Sequence, residues 1–423
     1  MSDINAKLAQ TSFAGGIWSE ILAGRTDFSE YKTAVETLTN FFIYPQGPVC
    51  FRSGFRFIAG VKNNAKTVTL IPFVFSSNEA YVLEFGEGYI RFFNNQAQVL
   101  NTGVPYEISN PYAEADLKEI RYTQSADVLY LFHKNYRPRK LMRLSENNWV
   151  LSDIFWYPPP TIEKDIIPNA SLSLAALTGN SITFTTSTDI FLAGDVNRLI
   201  TAGTGRASIT SFVDTKHVIC DIISTFEATN YVTGNWKIQG SPNAPLVPSI
   251  QEPKNAICTL SSETDLFRSE DVGKYIRINS GLIYLTEWSS CKIVKGQILQ
   301  VLTAVDEATN WTLENEMWNT TDGYPCCGTF FEERLIVAGS VNYPETIWGS
   351  VVGDYENFAP GIDDSDALQF TILSRKVNTI KWIEPADYLI VGTTSSEWRV
   401  GPEDTGEALT PLNVIAKQIM IQI

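Results

Sequence analysis

The sequence predicts a mainly β protein, built as a propeller-like array of small antiparallel sheets that is interrupted by an inserted, duplicated β module. Three observations predict it: hairpin-like segments recur along the chain, two central passages align without a gap, and the hairpin spacing becomes regular once those passages are set aside. The chain has 423 residues, of which 44% are hydrophobic and 12% aromatic. It is therefore long enough for two or three domains with buried cores.

Four segments carry the pattern of a β-hairpin. Each joins short runs of strand-forming residues through a turn that contains Asn, Gly or Pro, or other polar residues. The segments are 69–93, 117–143, 328–350 and 378–400. Their equivalent apolar residues are separated by 48, 206 and 54 positions: Leu83, Leu131, Val337 and Val391. The long middle interval predicts an insertion between the second and third hairpins.

The insertion has the sequence pattern of a duplicated module. Residues 191–209 align without a gap to 267–285 at an offset of 76, which pairs Phe191 with Phe267 and Asp195 with Asp271. Removing two such modules from the long interval leaves 54 residues, the spacing of the last two hairpins. Repeats of about 40–50 residues built from strands are typical of propeller blades, because one small sheet cannot bury its face alone.

These intervals predict four parts of the chain. Residues 1–60 form an N-terminal arm with the first strands, 61–160 the first blades, 161–320 the duplicated β domain, and 321–423 further blades. Two segments have a helical pattern, 31–42 and, less clearly, 3–10. The last residues, LNVIAKQIMIQI, form an apolar, strand-like run without a polar tail. Three interpretations of this end remain open: a truncated gene product, an expression fragment and a naturally short protein.

The net charge of −15 limits the functions that the chain can have. It argues against a protein that holds nucleic acid by its phosphates, because that requires clustered Lys and Arg. An acidic surface would let nucleic acid slide past, since like charges repel. No run reaches the ~18–20 apolar residues of a membrane span. The start, MSDINAKLAQ, lacks the apolar core of a signal peptide, so we expect synthesis in the cytoplasm.

The sequence predicts no catalytic, cofactor or metal site. His133 and His217 are its only histidines, and its six cysteines include no CxxC pair, which favours reduced thiols in the core or in turns. One cluster of carboxylates consists of Asp363, Asp364 and Asp366. It lacks the spacing of a calcium-binding loop. Two interpretations remain open, a solvated turn and a cation site. Glu332 and Glu333 flank a strand, one expected to point outward and the other toward a neighbouring blade.

One basic run, HKNYRPRKLMR, stands out in this acidic chain. Its candidate interface residues are Arg137, Arg139, Lys140 and Arg143. Three interpretations remain open: an exposed blade edge kept soluble by charge, contact with an acidic surface of a neighbouring subunit, and direct contact with DNA. The tryptophans that close two hairpin motifs, Trp348 and Trp398, are predicted to be core residues, because seams between blades usually bury Trp.

Three passages carry recognisable motifs. The first combines Phe-x-Gly-Gly, Gly-Arg-x-Asp, Asn-Phe before Pro-x-Gly, and Arg-x-Gly, at Phe13, Gly15, Gly16, Gly24, Arg25, Asp27, Asn40, Phe41, Pro45, Gly47, Arg52 and Gly54. The second is carried by Gly323, Tyr324, Pro325, Arg334, Leu335, Pro344, Trp348, Ser350, Gly353, Asp354, Tyr355 and Phe358. The third is carried by Gly392, Thr393, Glu397 and Trp398. Together they resemble the tubular tail or nozzle proteins of short-tailed bacteriophages.

This resemblance implies a structural virion protein without enzymatic activity or cofactor. Six copies would form a tube below the portal and its adaptor ring, DNA would leave through the bore, and fibres would attach at the rim. The chain departs from the family at Ser53, where a Pro is usual, and at Cys326, where a basic residue is common.

Two other functions remain open. One is a stand-alone propeller that binds or cleaves surface glycans, for which Trp348, Trp382, Trp398 and Glu397 are the candidates. The other is a different virion part, such as an adaptor or hub.

Overall fold

The computed structural model describes residues 9–76, 79–163, 165–361, 363–373, 378–403 and 406–421. Short strands dominate it, and its helices are short 3-10 turns at Glu20–Leu22, Ser29–Thr33, Glu114–Glu119, Ala193–Asp195 and Ser269–Asp271. The chain divides into two compact units, one ending at Gly60 and the other beginning at Val61. The mainly β prediction is confirmed.

The first unit contains two small strand pairs. Gly16–Ile17 pairs in parallel with Ala34–Val35, and Phe41–Ile43 pairs antiparallel with Val49–Phe51. The helix expected at 31–42 is wrong, because only the 3-10 turn ending at Thr33 is helical there. Most of the other segment with a helical pattern, 3–10, lies outside the described residues. β-branched residues occupy every second position of this segment and favour extended backbone: Thr33, Val35, Thr37 and Thr39.

The second unit contains four small antiparallel sheets, which we name blades A to D. Blade A consists of Thr69–Ser76, Glu79–Gly86, Tyr89–Asn94 and Glu107–Ser109, and the short strand Ala97–Gln98 pairs with the third of these. Leu100–Asn101 and Val104–Pro105 form a separate pair. Blade B consists of Arg121–Ser125, Val128–His133, Tyr136–Ser145 and Asn148–Asp153. Blade C consists of Cys327–Phe331, Arg334–Ala338, Thr346–Gly349 and Leu368–Thr371. Blade D consists of Ile380–Pro385, Leu389–Thr393, Ser396–Gly401 and Ile415–Ile421.

The first strands of the blades lie side by side, in chain order. The Gln124 side chain of blade B bonds both the backbone N–H and the carbonyl of Val74 in blade A, at 3.1 and 2.7 Å. The first strand of blade B also contacts that of blade C, which in turn contacts that of blade D. In a propeller, the first strands of successive blades are neighbours. The propeller-like prediction is therefore confirmed.

Apolar seams join successive blades. One core is shared by blades A and B around Trp149, a second joins blades B and C around Trp348, and a third joins blades C and D around Val391. Each seam buries a face that a small sheet could not bury alone, which stabilises the array through removal of apolar area from water.

The inserted segment forms two seven-stranded sheets, the first and second modules. The first has strands Leu172–Leu174, Ile182–Thr186, Leu199–Ala202, Gly205–Asp214, His217–Ser224, Asn230–Tyr231 and Lys237–Gln239. The second has strands Thr161–Glu163, Val247–Pro248, Ile257–Ser261, Tyr275–Ile278, Gly281–Ser290, Ile293–Gln300 and Thr312–Glu316.

The two modules repeat one another in detail. The strands Gly205–Asp214 and Gly281–Ser290 begin and end at the predicted offset of 76 residues. A buried tryptophan bonds a backbone carbonyl in each module: Trp236 donates to Ala170 at 2.7 Å, and Trp311 donates to Ala244 at 2.8 Å. The duplication is therefore confirmed at the level of strands and of hydrogen bonds.

A buried ionic cluster links the modules. The carboxylate of Asp195 is 1% exposed and pairs with Arg198 at 2.7 Å in its own module and with Arg268 of the second module at 2.6 Å. The equivalent Asp271 pairs with Lys274 at 2.7 Å. Burial lowers the pKa of Arg198, and the charge of Asp195 opposes that shift.

Blades and modules belong to one compact unit, which begins at Val61. The boundaries expected after residues 160 and 320 therefore stay predictions. The insertion is entered and left through two neighbouring strands, because Thr161–Glu163 pairs antiparallel with the end of Thr312–Glu316. In the part of the chain described here, no helix is long and apolar enough to cross a membrane.

Candidate functional site

Three of the four basic candidate residues form ion pairs inside the chain. Arg139 contacts Asp153 of the next strand at 2.9 Å. Lys140 reaches Glu356 beside blade C at 2.5 Å. Arg143 reaches Glu79 of blade A at 2.6 Å and lies over the Phe75 ring at 4.1 Å. The third strand of blade B therefore uses these cations to hold its neighbours.

The fourth cation, Arg137, forms no ion pair within the described residues. Its guanidinium lies 5.7 Å from the ring of Phe155, which is 71% exposed. The Arg137 charge also acts on Glu316, where burial raises the carboxyl pKa to about 6 and Arg137 opposes the shift. Arg137 is half-buried, with its Nε buried and without a partner in the described structure, and it lies beside the exposed ring of Phe155. The subunit interface itself stays a prediction.

Arg334 organises the turn that follows blade C's third strand. Its side chain is 1% exposed. It donates to the carbonyl of Ser350 at 2.6 Å and to that of Asp366 at 2.5 Å, and it also bonds the carbonyls of Asp364 and Ser365. A planar guanidinium suits this task, because its several N–H groups point in fixed directions. The sequence marks Arg334 as a motif residue, but the motif does not indicate which backbone carbonyls its side chain bonds.

The carboxylate cluster belongs to the turn that Arg334 holds. The carboxylate of Asp366 accepts the backbone N–H of Asp363 at 2.9 Å. Among the described residues, no group of three or more His, Cys, Asp or Glu side chains could hold a metal ion. The carbonyls of this turn are already occupied by the guanidinium, so they are not free to act as cation ligands.

Motif residues fill the seam between blades B and C. Trp348 is 1% exposed, and its ring meets that of Trp318 edge to face. Phe358 packs edge to face on Trp156 and Trp318, at 5.3 and 5.0 Å between ring centroids. Trp398, in blade D, is 8% exposed. The prediction that Trp348 and Trp398 are core residues is confirmed.

The motif residues of the first unit also shape its backbone turns. Gly47 has φ of +105°, and a Cβ there would lie 2.5 Å from the Ser12 hydroxyl. Its carbonyl accepts the N–H of Phe13 at 2.8 Å. Arg25 and Asp27 form an exposed ion pair at 2.6 Å. These residues shape the turns of the unit, so the motif has a structural explanation.

The residues considered for glycan chemistry do not form a cleft. Trp348 and Trp398 are buried and cannot stack on a sugar. Glu332 and Glu333 form the turn between blade C's first two strands, with φ of +46° and +58°. The Glu332 carboxylate accepts the N–H of Leu409 in blade D at 2.6 Å, so it does point to the neighbouring blade.

The other two candidates for glycan chemistry lie on the first and third strands of blade D, with the second strand between them. Trp382 packs on Gly392, and Glu397 is partly buried. Glu397 is the single carboxylate among the four candidates, whereas glycoside cleavage requires two carboxylates in one cleft.

Comparisons with known proteins give no family. No family model matches the chain, and no curated protein matches it. One similar solved structure is a phage phi92 endosialidase, with 10% sequence identity and a TM-score of 0.19. The alignment covers 81% of this chain and 56% of that one, so the chain spans little more than half the length of the endosialidase. A likeness this weak carries no argument about function.

Proposed function

We propose that this protein is a structural subunit of the tail tube, or nozzle, of a short-tailed bacteriophage. In this role several copies, six by the resemblance, form a ring below the portal and adaptor. DNA leaves through the bore, and fibres attach to the outside. The protein does no chemistry and binds no cofactor.

The observation that carries the proposal is the position of the motif residues. The passage 323–358, which most resembles the tail-tube family, forms blade C and its seam with blade B. Most of its motif residues are buried, among them Arg334 and Trp348, while Gly353 and Asp354 belong to an exposed turn. A motif made of packing and turn residues is what a structural subunit requires, because its task is to keep a fixed shape.

Charge supports the same proposal. Six copies would carry six times the net charge of −15, and an acidic bore would repel phosphate and let DNA pass without sticking. Repulsion between subunits then has to be offset by local attraction. Arg137 with Phe155 is the part of the basic strand that remains available for such a contact.

Electron microscopy tests the proposal directly. We expect the concentrated protein to form rings of uniform size in negative stain, and antibodies against it to label the tail of the parent particle. Labelling confined to the head or to the fibre tips would contradict the tail-tube role. A glycan array and a hydrolysis assay on the same preparation test the stand-alone propeller, and saturable glycan binding or cleavage would favour that function instead.

A further inference from the structure

A pocket of about 520 Å³ opens where the first strands of blades B, C and D begin. Blade B provides Arg121, His133 and Lys134, blade C provides Cys326 and Ser340, and blade D provides Lys381. We call it the interblade pocket. Glu119 is the only carboxylate among its lining residues. A region with three cations and one carboxylate is unusual on a chain with a net charge of −15.

Two of the three cations have no carboxylate partner. Lys134 pairs with Glu119 at 2.8 Å. Arg121 uses one guanidinium nitrogen to bond the carbonyl of Lys118 at 3.2 Å, and neither it nor Lys381 forms an ion pair within the described residues. Both charges act on a residue that lines the same pocket, since a hydrogen bond with the Cys327 thiol and then the charges of Lys381 and Arg121 lower the pKa of the Cys326 thiol.

A buried donor lies at the same pocket. His133 is 1% exposed, and its Nδ1 accepts the backbone N–H of Asn135 at 3.2 Å. The neutral ring therefore carries its proton on Nε2, which is buried without a hydrogen-bond partner in the described structure. The nearest carboxylates, Asp116 and Glu119, are 3.8 Å away, beyond hydrogen-bond distance. An orphaned buried donor in a polar pocket indicates a missing partner.

The nearby carboxylates do not cancel this cationic character. Lys134 offsets the charge of Glu119, and Asp116, which accepts the hydroxyl of Tyr136 at 2.7 Å, keeps its charge but is not among the lining residues. The lining itself therefore carries three cations against one carboxylate. Two cations and one N–H donor match a small anion with several oxygen acceptors. A DNA backbone instead requires a row of cations spread along a surface.

We propose that the interblade pocket binds a free phosphate-type oxyanion. Arg121 and Lys381 are its cationic contacts, and the Nε2–H of His133 is its neutral donor. The pocket lies among three blades of one chain, so this inference does not depend on the tail-tube role. Its occupant would tie the beginnings of three first strands together.

Calorimetric titration of the full chain with inorganic phosphate tests the proposal, at constant ionic strength. We expect saturable binding at one site per chain, weakened at least about tenfold in Arg121→Gln and in Lys381→Gln. Both side chains are exposed, so the variants should melt with the parent. Lys292→Gln is the matched control, since Lys292 is an exposed lysine in a turn of the second module without an ion pair in the described structure.

Two further binding experiments, with acetate and with a DNA duplex, identify the kind of anion. Acetate should bind much more weakly than phosphate, and a short DNA duplex should not displace phosphate. Absence of saturable phosphate binding, or equal affinity in all variants, would overturn the proposal. If acetate bound as tightly as phosphate, the ligand would not be a tetrahedral oxyanion. If the duplex displaced phosphate, the pocket would bind the phosphates of DNA and not a free anion.

Discussion

The rings of Trp318 and Trp348 meet edge to face, with centroids 5.4 Å apart and planes at 85°. Trp318 follows the last strand of the second module, and Trp348 lies in blade C. This contact couples the point where the chain leaves the insertion to the seam between blades B and C. Edge-to-face aromatic pairs add stabilisation beyond the area that they bury.

Replacing Trp348 should destabilise the second unit strongly. Trp348→Ala leaves a large cavity in the seam and should lower the free energy of unfolding by about 3–5 kcal/mol. Trp348→Phe should cost less, because it keeps an aromatic ring and removes an indole N–H that is buried without a partner in the described structure. Urea unfolding measures both. Trp288, which is 37% exposed, is the control, and an equal loss in Trp288→Ala would contradict the seam assignment.

Arg334→Lys should destabilise blade C despite keeping the charge. Lysine cannot reproduce the fork that bonds the carbonyls of Ser350 and Asp366, so buried acceptors lose their donors. The expected loss is on the order of 3 kcal/mol. Chemical denaturation compares it with Arg399→Lys, where the guanidinium only covers the Tyr388 ring. Similar stability of the two variants would show that the fork geometry is unimportant.

Glu316 should make stability fall as pH rises. Burial raises its pKa from 4.5 to about 6, so the folded state binds the proton more tightly than the unfolded state does. The unfolding free energy therefore decreases between about pH 4.5 and pH 6, by about 2 kcal/mol in total. Glu316→Gln removes this loss.

The variant should accordingly be more stable than the parent at pH 8, by up to about 2 kcal/mol, and no more stable at about pH 4. Unfolding curves at both pH values check the sign. The control is Glu263→Gln, at an exposed position of the second module. A gain of equal size at both pH values would mean that Glu316 acts through packing and not through its charge.

The buried cluster between the modules should depend on its central carboxylate. Asp195→Ala leaves Arg198 and Arg268 without their shared partner and should cost about 3–5 kcal/mol. A double-mutant cycle with Arg268→Gln measures the coupling across the module junction. Asp271→Ala is the internal comparison, because the ion-pair partner of Asp271 is the partly exposed Lys274. We expect the smaller loss there, and the reverse order would contradict the account of the cluster.

Assembly should depend on salt and on Arg137, the cation of the basic strand that has no ion pair in the described structure. Sedimentation velocity should show ring formation that tightens as salt rises from about 0.05 to 0.3 M, because salt screens the net repulsion. Arg137→Gln removes the cation without placing a second carboxylate beside Glu316, and it should weaken assembly. Lys254→Gln, which removes the charge of a lysine over the Tyr157 ring, is the control.

DNA binding by the free protein should be weak even at low salt, because the chain has a net charge of −15. A gel shift with linear duplex measures it. Tight binding would contradict the explanation that an acidic bore repels DNA. It would not contradict the prediction that the protein forms rings.

Local patterns predicted much of the fold. The four hairpins and the 76-residue repeat are visible because strand alternation and turn residues act over a few positions, and because a duplicated module keeps its buried residues. The failed helix at 31–42 is a local error, since the alternating Thr and Val of that segment outweigh its few helix-forming residues.

The candidate site could not be predicted in the same way, because its contacts join distant segments. Lys140 meets Glu356, and Arg143 meets Glu79. The interblade pocket combines residues of three blades on both sides of the insertion, from Arg121 to Lys381. No spacing rule links such positions, and only the closed seams bring them together.

The insertion begins and ends on adjacent strands, with Thr161 opposite Glu316 and Glu163 opposite Glu314. The two cut ends of the array would therefore stand one strand spacing apart, about 5 Å, if the modules were removed. A short turn would bridge that gap, so we expect the blades to keep their own connections when the modules are removed. Domains of other sizes, or bearing other surfaces, could be grafted at the same position while the array keeps its fold.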